Sequence, residues 1–129
     1  IVDLAWNGRL EFSAQTSRTR FVIDSDGVNG PSPVELLVSG LAGCMAVDLA
    51  YILGRGRHPF DALKARLVAE RAAETPHRLT RVTLHFDLEG AVPTDTVARA
   101  IALSRDKYCS VWHSLRQDIE LQVTFDVTA

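Results

Sequence analysis

The stretch from Ser32 to Leu53, SPVELLVSGLAGCMAVDLAYIL, limits what this chain can fold into more than any other. It is the longest apolar run, and its opening carries a helix-start signature. The Ser32 hydroxyl can accept from the amide of Glu35, the Glu35 carboxylate can reach back, and Pro33 suits the first turn. From that start Leu36, Leu37, Val38, Leu41, Val47, Leu49, Ile52 and Leu53 fall around the whole axis, as in a helix buried at a protein centre. Its length also matches the roughly 20 apolar residues of a membrane span. Glu35, Ser39, Asp48 and the flanking Arg55 and Arg57 argue against a span, so no membrane association is expected. Ser39, Gly43, Ala46 and Ala50 add a stripe of small side chains along which another helix can approach closely.

Cys44 lies beside that stripe, with Gly40 one turn back and Asp48 one turn on. A free cysteine in such a place is commonly a small buried hydrophobe, and that structural reading stands beside a reactive one. An ionised Asp48 would disfavour a thiolate unless a cation neutralised it; the alternative is a hydrogen bond across packed helices. The chain has one other cysteine, Cys109.

At 129 residues the chain is long enough for a hydrophobic core without staples, and it reads as a single domain over 1–129. With 47% hydrophobic residues, 23% charged and a net charge of -2, it has no basic footprint, which excludes nucleic acid as an expected partner. The N-terminal IVDLAWNGRL has none of the regions of a secretory signal, so a cytoplasmic location is expected. Two cysteines in such a compartment are reduced or redox-active rather than a permanent brace.

The chain is α+β in pattern. Residues 2–7 and 9–15 alternate as strands joined at Asn7-Gly8, a hairpin signal, and a third strand runs over 18–24. The polar DSDGVNGPSP segment is a loop free to carry function. The central helix stops near Gly54-Arg55-Gly56. ALKARLVAERAAE has helix-forming composition but strand alternation; it is assigned as a strand because Val82, Leu84, Phe86 and Leu88 alternate as its partner beyond a TPHR turn. Val97, Ala100, Ile101 and Ser104 give helical spacing over 94–107, with Thr94 as the cap, and short helical turns cover 110–116. Ile119, Leu121, Val123, Phe125 and Val127 form one face of a last strand.

No phosphate loop, carboxylate pair or metal-spaced cysteine cluster occurs. Cys109 and His113 are four apart, but two cysteines with scattered histidines (His58, His77, His85, His113) make no zinc signature, so neither metal nor cofactor is expected. A Cys-His nucleophile pair lacks a third group to orient the histidine. A third use of the cysteines is a peroxide-reacting thiolate and a resolving partner: the first becomes a sulfenic acid, which condenses with the second thiol.

The segments SPVELLVSGLAGCMAVDL, LTRVTLHFDLEG and AIALSRDKYCSV resemble the OsmC/Ohr family, the osmotically inducible protein C and organic hydroperoxide resistance proteins, and among them the OsmC-like branch. The resemblance covers essentially the whole chain. It implies the OsmC-like fold, with antiparallel strands around a long buried central helix in an intertwined homodimer. It also implies a thiol-dependent peroxidase acting on organic hydroperoxides and recycled by a dithiol reductant such as a lipoylated protein. Cys44 matches the peroxidatic position and Cys109 the resolving one. Arg20 matches the activating cation, with Arg18 as second choice, and Glu35 is the acid available at the helix start, where the capping box also accounts for it. The alternative function is a non-catalytic small-molecule or lipid binder that keeps the fold.

Overall fold

The computed structural model describes residues 1–129 as two compact units, Ile1–Ser39 and Gly40–Ala129. In the first, β1 (Asp3–Gly8), β2 (Glu11–Gln15) and β3 (Arg20–Asp24) form an antiparallel meander in that order. Cross-strand pairs Trp6–Phe12, Leu4–Ala14, Ala14–Phe21 and Phe12–Ile23 gather the apolar side chains on one face. Leu4 and Trp6 on that face stay exposed, Trp6 at 67%. The hairpin expected at Asn7-Gly8 turns instead at Arg9-Leu10, after a bulge between Trp6 and Gly8. Gly8 and Arg9 both take positive φ there, and Leu10, expected within the strand over 9–15, lies in the turn.

The loop after β3 is organised by Asp24, whose carboxylate accepts the backbone N–H groups of Asp26, Val28 and Asn29. Those bonds, Asn29 foremost and then Asp26, hold its carboxyl below the usual range. A Cβ at Gly30 would overlap the Val22 carbonyl, so the chain passes β3 where only glycine fits. Helix α1 (Pro33–Arg55) then starts with the expected box: Glu35 N–H donates to Ser32 Oγ at 3.2 Å, and Ser32 N–H donates to Glu35 Oε1 at 3.0 Å.

In the second unit α1 continues from Gly40. Leu41, Met45, Leu49 and Leu53, spaced by four, form one fully buried stripe. Burial of the helix in the single chain therefore follows one side, and Val47 and Tyr51 on the other are 68% and 64% exposed. The sheet of this unit has β5 (Leu79–Glu89) between β4 (Ala62–Arg71) and β6 (Glu120–Thr128). The ambiguous segment is thus a strand. Leu63, Ala65, Leu67 and Ala69 of β4 pair with Leu88, Phe86, Leu84 and Val82, which pair in turn with Val127, Phe125, Val123 and Leu121 of β6. One face is apolar, and Val82, Leu84, Phe86 and Leu88 are buried in the core.

Three of the four strand pairings are antiparallel, but β5 and β6 run parallel. Parallel neighbours need a long crossover. It is made by α2 (Thr94–Leu103), a π-turn (Ser104–Tyr108) and α3 (Ser110–His113). The long helix expected over 94–107 therefore ends early and widens. Thr94 is inside α2, not its cap; Pro93 holds that position without a side-chain bond. Gly90 begins the crossover at φ +152, with a Cβ there only 2.9 Å from Phe60 Cα, and its N–H donates to Thr128 O at 2.8 Å.

Phe86, 1% exposed on the middle strand, carries the sheet's core. Phe86→Ala is expected to lose about 3–5 kcal/mol of unfolding free energy in denaturant titration. Val68→Ala, on the opposite face at 51% exposure, should lose less than about 1 kcal/mol.

Candidate active site

Three side chains of the second unit converge: Cys44 and Asp48, one turn apart on α1, and Cys109 at the end of the crossover helices. One sulfur or carboxylate oxygen from each lies within 4.8 Å of the other two. Cys44 is half-buried, Cys109 is fully buried, and both are free thiols whose sulfurs lie within 4.8 Å of each other.

Local structure explains how Cys109 reaches this place. The π-turn closes with Cys109 N–H donating to Ser104 O at 2.8 Å, a bond spanning five residues. The extra residue turns Cys109 by roughly 100° from where an uninterrupted α-helix would aim it. Cys109 then leaves the helical region, with φ -71 and ψ 99, and caps α3: its Sγ accepts from Trp112 N–H at 3.4 Å. That cap role belongs to a thiol in place of the usual hydroxyl or carboxylate. His113, four residues on, is exposed and donates its backbone N–H to Cys109 O.

Asp48 is fixed from the same segment. Ser104 Oγ donates to Asp48 Oδ2 at 2.7 Å, and Ser104 is only 1% exposed. Asp48 thus has a hydrogen-bond partner, one of the two alternatives for it, and that partner is a residue of the crossover that spacing alone had placed on the apolar face of the helix expected over 94–107. That misfit was the available signal, because a hydroxyl on a buried face requires an acceptor.

Burial pushes the Cys109 thiol up to about 11; the Trp112 N–H works against this, while contact with Cys44 and the nearby Asp48 charge add to it. The site opens beside Asp48 into a cleft of about 470 Å³ lined by Asp48, Tyr51, Ile52, Arg55, Leu103 and Tyr108. Cations cover both rings, with Arg55 at 6.0 Å from the Tyr51 centroid and Lys107 at 5.2 Å from that of Tyr108.

The other two expected site residues belong to the first unit. Glu35 is engaged in the capping box. Arg20 opens β3 opposite Gln15 and lines a cleft of about 480 Å³ on its own sheet, together with Leu4, Ala14 and Phe21. Arg18 sits in the preceding turn, its N–H donating to Thr16 Oγ1 at 3.3 Å. Two sulfurs and one carboxylate are one donor short of a closed structural zinc site. His85, Asp87 and Asp126 form a second group, on the opposite side of the β4–β5–β6 sheet from the core, where His85 Nε2 already contacts Asp126 at 3.2 Å and Asp87 at 3.3 Å.

An α+β chain with two facing thiols between a long helix and a crossover defines a dithiol protein built on this fold. The family model for OsmC-like protein matches residues 24–124, and the chain belongs to that family. It is 36% identical over 106 residues to protein YhfA of Escherichia coli strain K12, covering 81% of this chain and 79% of YhfA. Among solved structures, a hypothetical protein from Aquifex aeolicus VF5 superimposes with a TM-score of 0.92 at 25% identity, covering 99% of this chain and 95% of that one. The organic hydroperoxide resistance protein OhrB of Bacillus subtilis shares the fold with a TM-score of 0.67 at 15% identity, over 98% and 96% of the two chains. The resemblance read from the residues, and the α+β OsmC/Ohr fold with its long helix that it implied, are thereby borne out.

The Cys109 thiol has a pH consequence. Its folded value of about 11 lies above the ordinary 9.0, so the folded state holds the proton more tightly. The contribution is complete below about pH 9 and is lost as pH rises through about 11, on the order of 2 kcal/mol. Unfolding free energies measured across that window should fall more steeply for the wild type than for Cys109→Ser, which has no thiol to ionise.

Proposed function

We propose that this protein is a cysteine-based peroxidase that reduces organic hydroperoxides in defence against peroxide stress. The observation that carries the reading is the pair of free thiols of Cys44 and Cys109 within 4.8 Å, one half-buried and one fully buried. Membership of the OsmC-like family supports it, as do folds shared with proteins named for organic hydroperoxide resistance.

In this reading Cys44 attacks the peroxide as thiolate. The O–O bond breaks, an alcohol leaves after taking a proton, and Cys44 becomes a sulfenic acid. The Cys109 sulfur then attacks Cys44, water leaves, and a disulfide forms. An S–S bond of roughly 2 Å needs side-chain movement of at most a few ångströms from the observed separation. A dithiol reductant, such as a lipoyl group on a partner protein, exchanges with that disulfide and restores both thiols. Arg20 is the cation assigned to favour the Cys44 thiolate, with Arg18 as alternative, and Glu35 is assigned to orient it. The cleft beside Asp48 accommodates the organic part of the substrate.

The protein works as a cytoplasmic homodimer, one domain per chain. The open side of α1 and the apolar face of the first sheet are the surfaces a second copy would cover. Nothing lies within 4 Å of a Cβ built at Gly43, so a larger side chain is tolerated within one chain. Gly43→Leu should therefore leave the fold intact by circular dichroism while lowering the mass measured by light scattering. A wild type that is monomeric at micromolar concentration would refute the dimer.

Stopped-flow oxidation by cumene hydroperoxide, compared with hydrogen peroxide and followed by thiol counting, tests the activity. Both thiols should disappear, and faster with the organic peroxide. Cys44→Ser should abolish oxidation, Cys109→Ser should stop at a sulfenic acid on Cys44, and Arg20→Ala should slow the first step at neutral pH. Two thiols surviving excess hydroperoxide would remove the peroxidase and leave the small-molecule binder.

A further inference from the structure

The resolving step poses a problem that the two cysteines do not solve between them. Cys109 is fully buried, and burial pushes its thiol up to about 11, so at neutral pH it stands as the neutral thiol. A neutral thiol that attacks another sulfur must lose its proton as the bond forms, and a hydroxide leaving Cys44 must gain one. Both transfers need a group within reach of both sulfurs.

Asp48 occupies that place. A carboxylate oxygen of Asp48 lies within 4.8 Å of the sulfurs of both Cys44 and Cys109. The group is held rather than free: Ser104 Oγ donates to Oδ2 at 2.7 Å, and the same Ser104 accepts the Cys109 N–H at 2.8 Å. One buried serine therefore sets acid and thiol against each other. A carboxylate offers about four acceptor positions, so the Ser104 bond leaves capacity for a thiol proton. The other titratable or charged groups around Asp48 are Cys44, Tyr51 and Arg55 on α1, Tyr108 of the π-turn, and Cys109. Of these, the two tyrosines and Arg55 line the cleft, and the Arg55 and Lys107 cations lie over the Tyr51 and Tyr108 rings.

We infer that Asp48 is the proton carrier of the resolving step, taking the thiol proton from Cys109 as its sulfur attacks Cys44 and giving it to the departing hydroxide. The inference rests on the peroxidase reading above. The balance is complete: the S–H bond of Cys109 and the S–O bond of Cys44 break, one S–S bond forms, one water leaves, and Asp48 ends as it began. Ser104 is the positioning residue, since it reaches the sulfurs only through Asp48 and the backbone of Cys109.

The test separates the two steps by rapid quench and mass spectrometry after one equivalent of cumene hydroperoxide. In the wild type, disulfide formation should be nearly independent of pH from about pH 6 to about pH 9, because the carboxylate accepts the proton from the neutral thiol. In Asp48→Asn, sulfenic acid should accumulate on Cys44, with disulfide formation slowed about 10²-fold at neutral pH and rising about tenfold per pH unit as Cys109 ionises to solvent. Asparagine keeps an acceptor for Ser104, so a merely structural role predicts neither the slowing nor the slope. A wild-type disulfide step that itself rises tenfold per pH unit would overturn the inference without recourse to any variant, as would an Asp48→Asn protein with the wild-type rate and profile. Absence of any sulfenic acid on Cys44 in Cys109→Ser would refute the peroxidase reading itself, and this inference with it.

Discussion

The hydrogen bond from Ser104 to Asp48 is the contact on which the candidate site depends. It joins the long helix to the segment carrying Cys109, at a point where the hydroxyl has almost no access to water. A buried hydroxyl left without an acceptor would cost about 1–3 kcal/mol, and the half-buried Asp48 carboxylate supplies that acceptor. The buried Ser104 therefore fixes the orientation of Asp48. The π-turn starts at the same serine, and its wider backbone bond brings the next cysteine round toward the helix. Fold and site share one residue here, which is why the geometry of the thiols is not separable from the packing of the crossover.

Much of the scaffold was readable from local pattern. The capping box at Ser32 and Glu35 acts within three residues, and the alternation of Val82, Leu84, Phe86 and Leu88 reports a one-sided core directly. The ambiguous Ala62–Arg71 segment became a strand because tertiary pairing outweighed helix-forming composition. Strand direction was another matter: a period of two is the same read either way, so nothing in Ile119–Val127 announced a parallel partner. The turn at Arg9-Leu10 escaped because the bulge displaces the hairpin from the Asn7-Gly8 signal.

The site was legible to a different depth. Cys44 and Cys109 lie 65 residues apart in sequence, and their meeting came from family resemblance rather than from periodicity. The π-turn has no composition of its own; SRDKY would continue an ordinary helix by propensity. Asp48 and Ser104 are an acid and a hydroxyl among apolar neighbours, and spacing counted Ser104 with the helix face, so their pairing is visible only once the crossover is folded. Arg20 and Glu35 remain assignments by resemblance, because their local surroundings, a strand start and a helix cap, account for where they stand without reference to a thiol.

In the proposed reaction, the unequal surroundings of the two thiols set an order of events. Cys44 is half-buried in mid-helix, whereas Cys109 is fully enclosed beneath the Trp112 amide it caps. A hydroperoxide arriving from solution meets the accessible sulfur first, whatever the intrinsic reactivity of the other. Burial also keeps Cys109 as a neutral thiol, and a neutral thiol is a poor nucleophile toward peroxide, so the second sulfur stays reduced until its neighbour has reacted. The same burial that protects Cys109 makes its proton hard to remove. On the inference drawn for Asp48, a nearby carboxylate lets one environment serve both demands, leaving the thiol neutral while the first step proceeds and accepting its proton in the second.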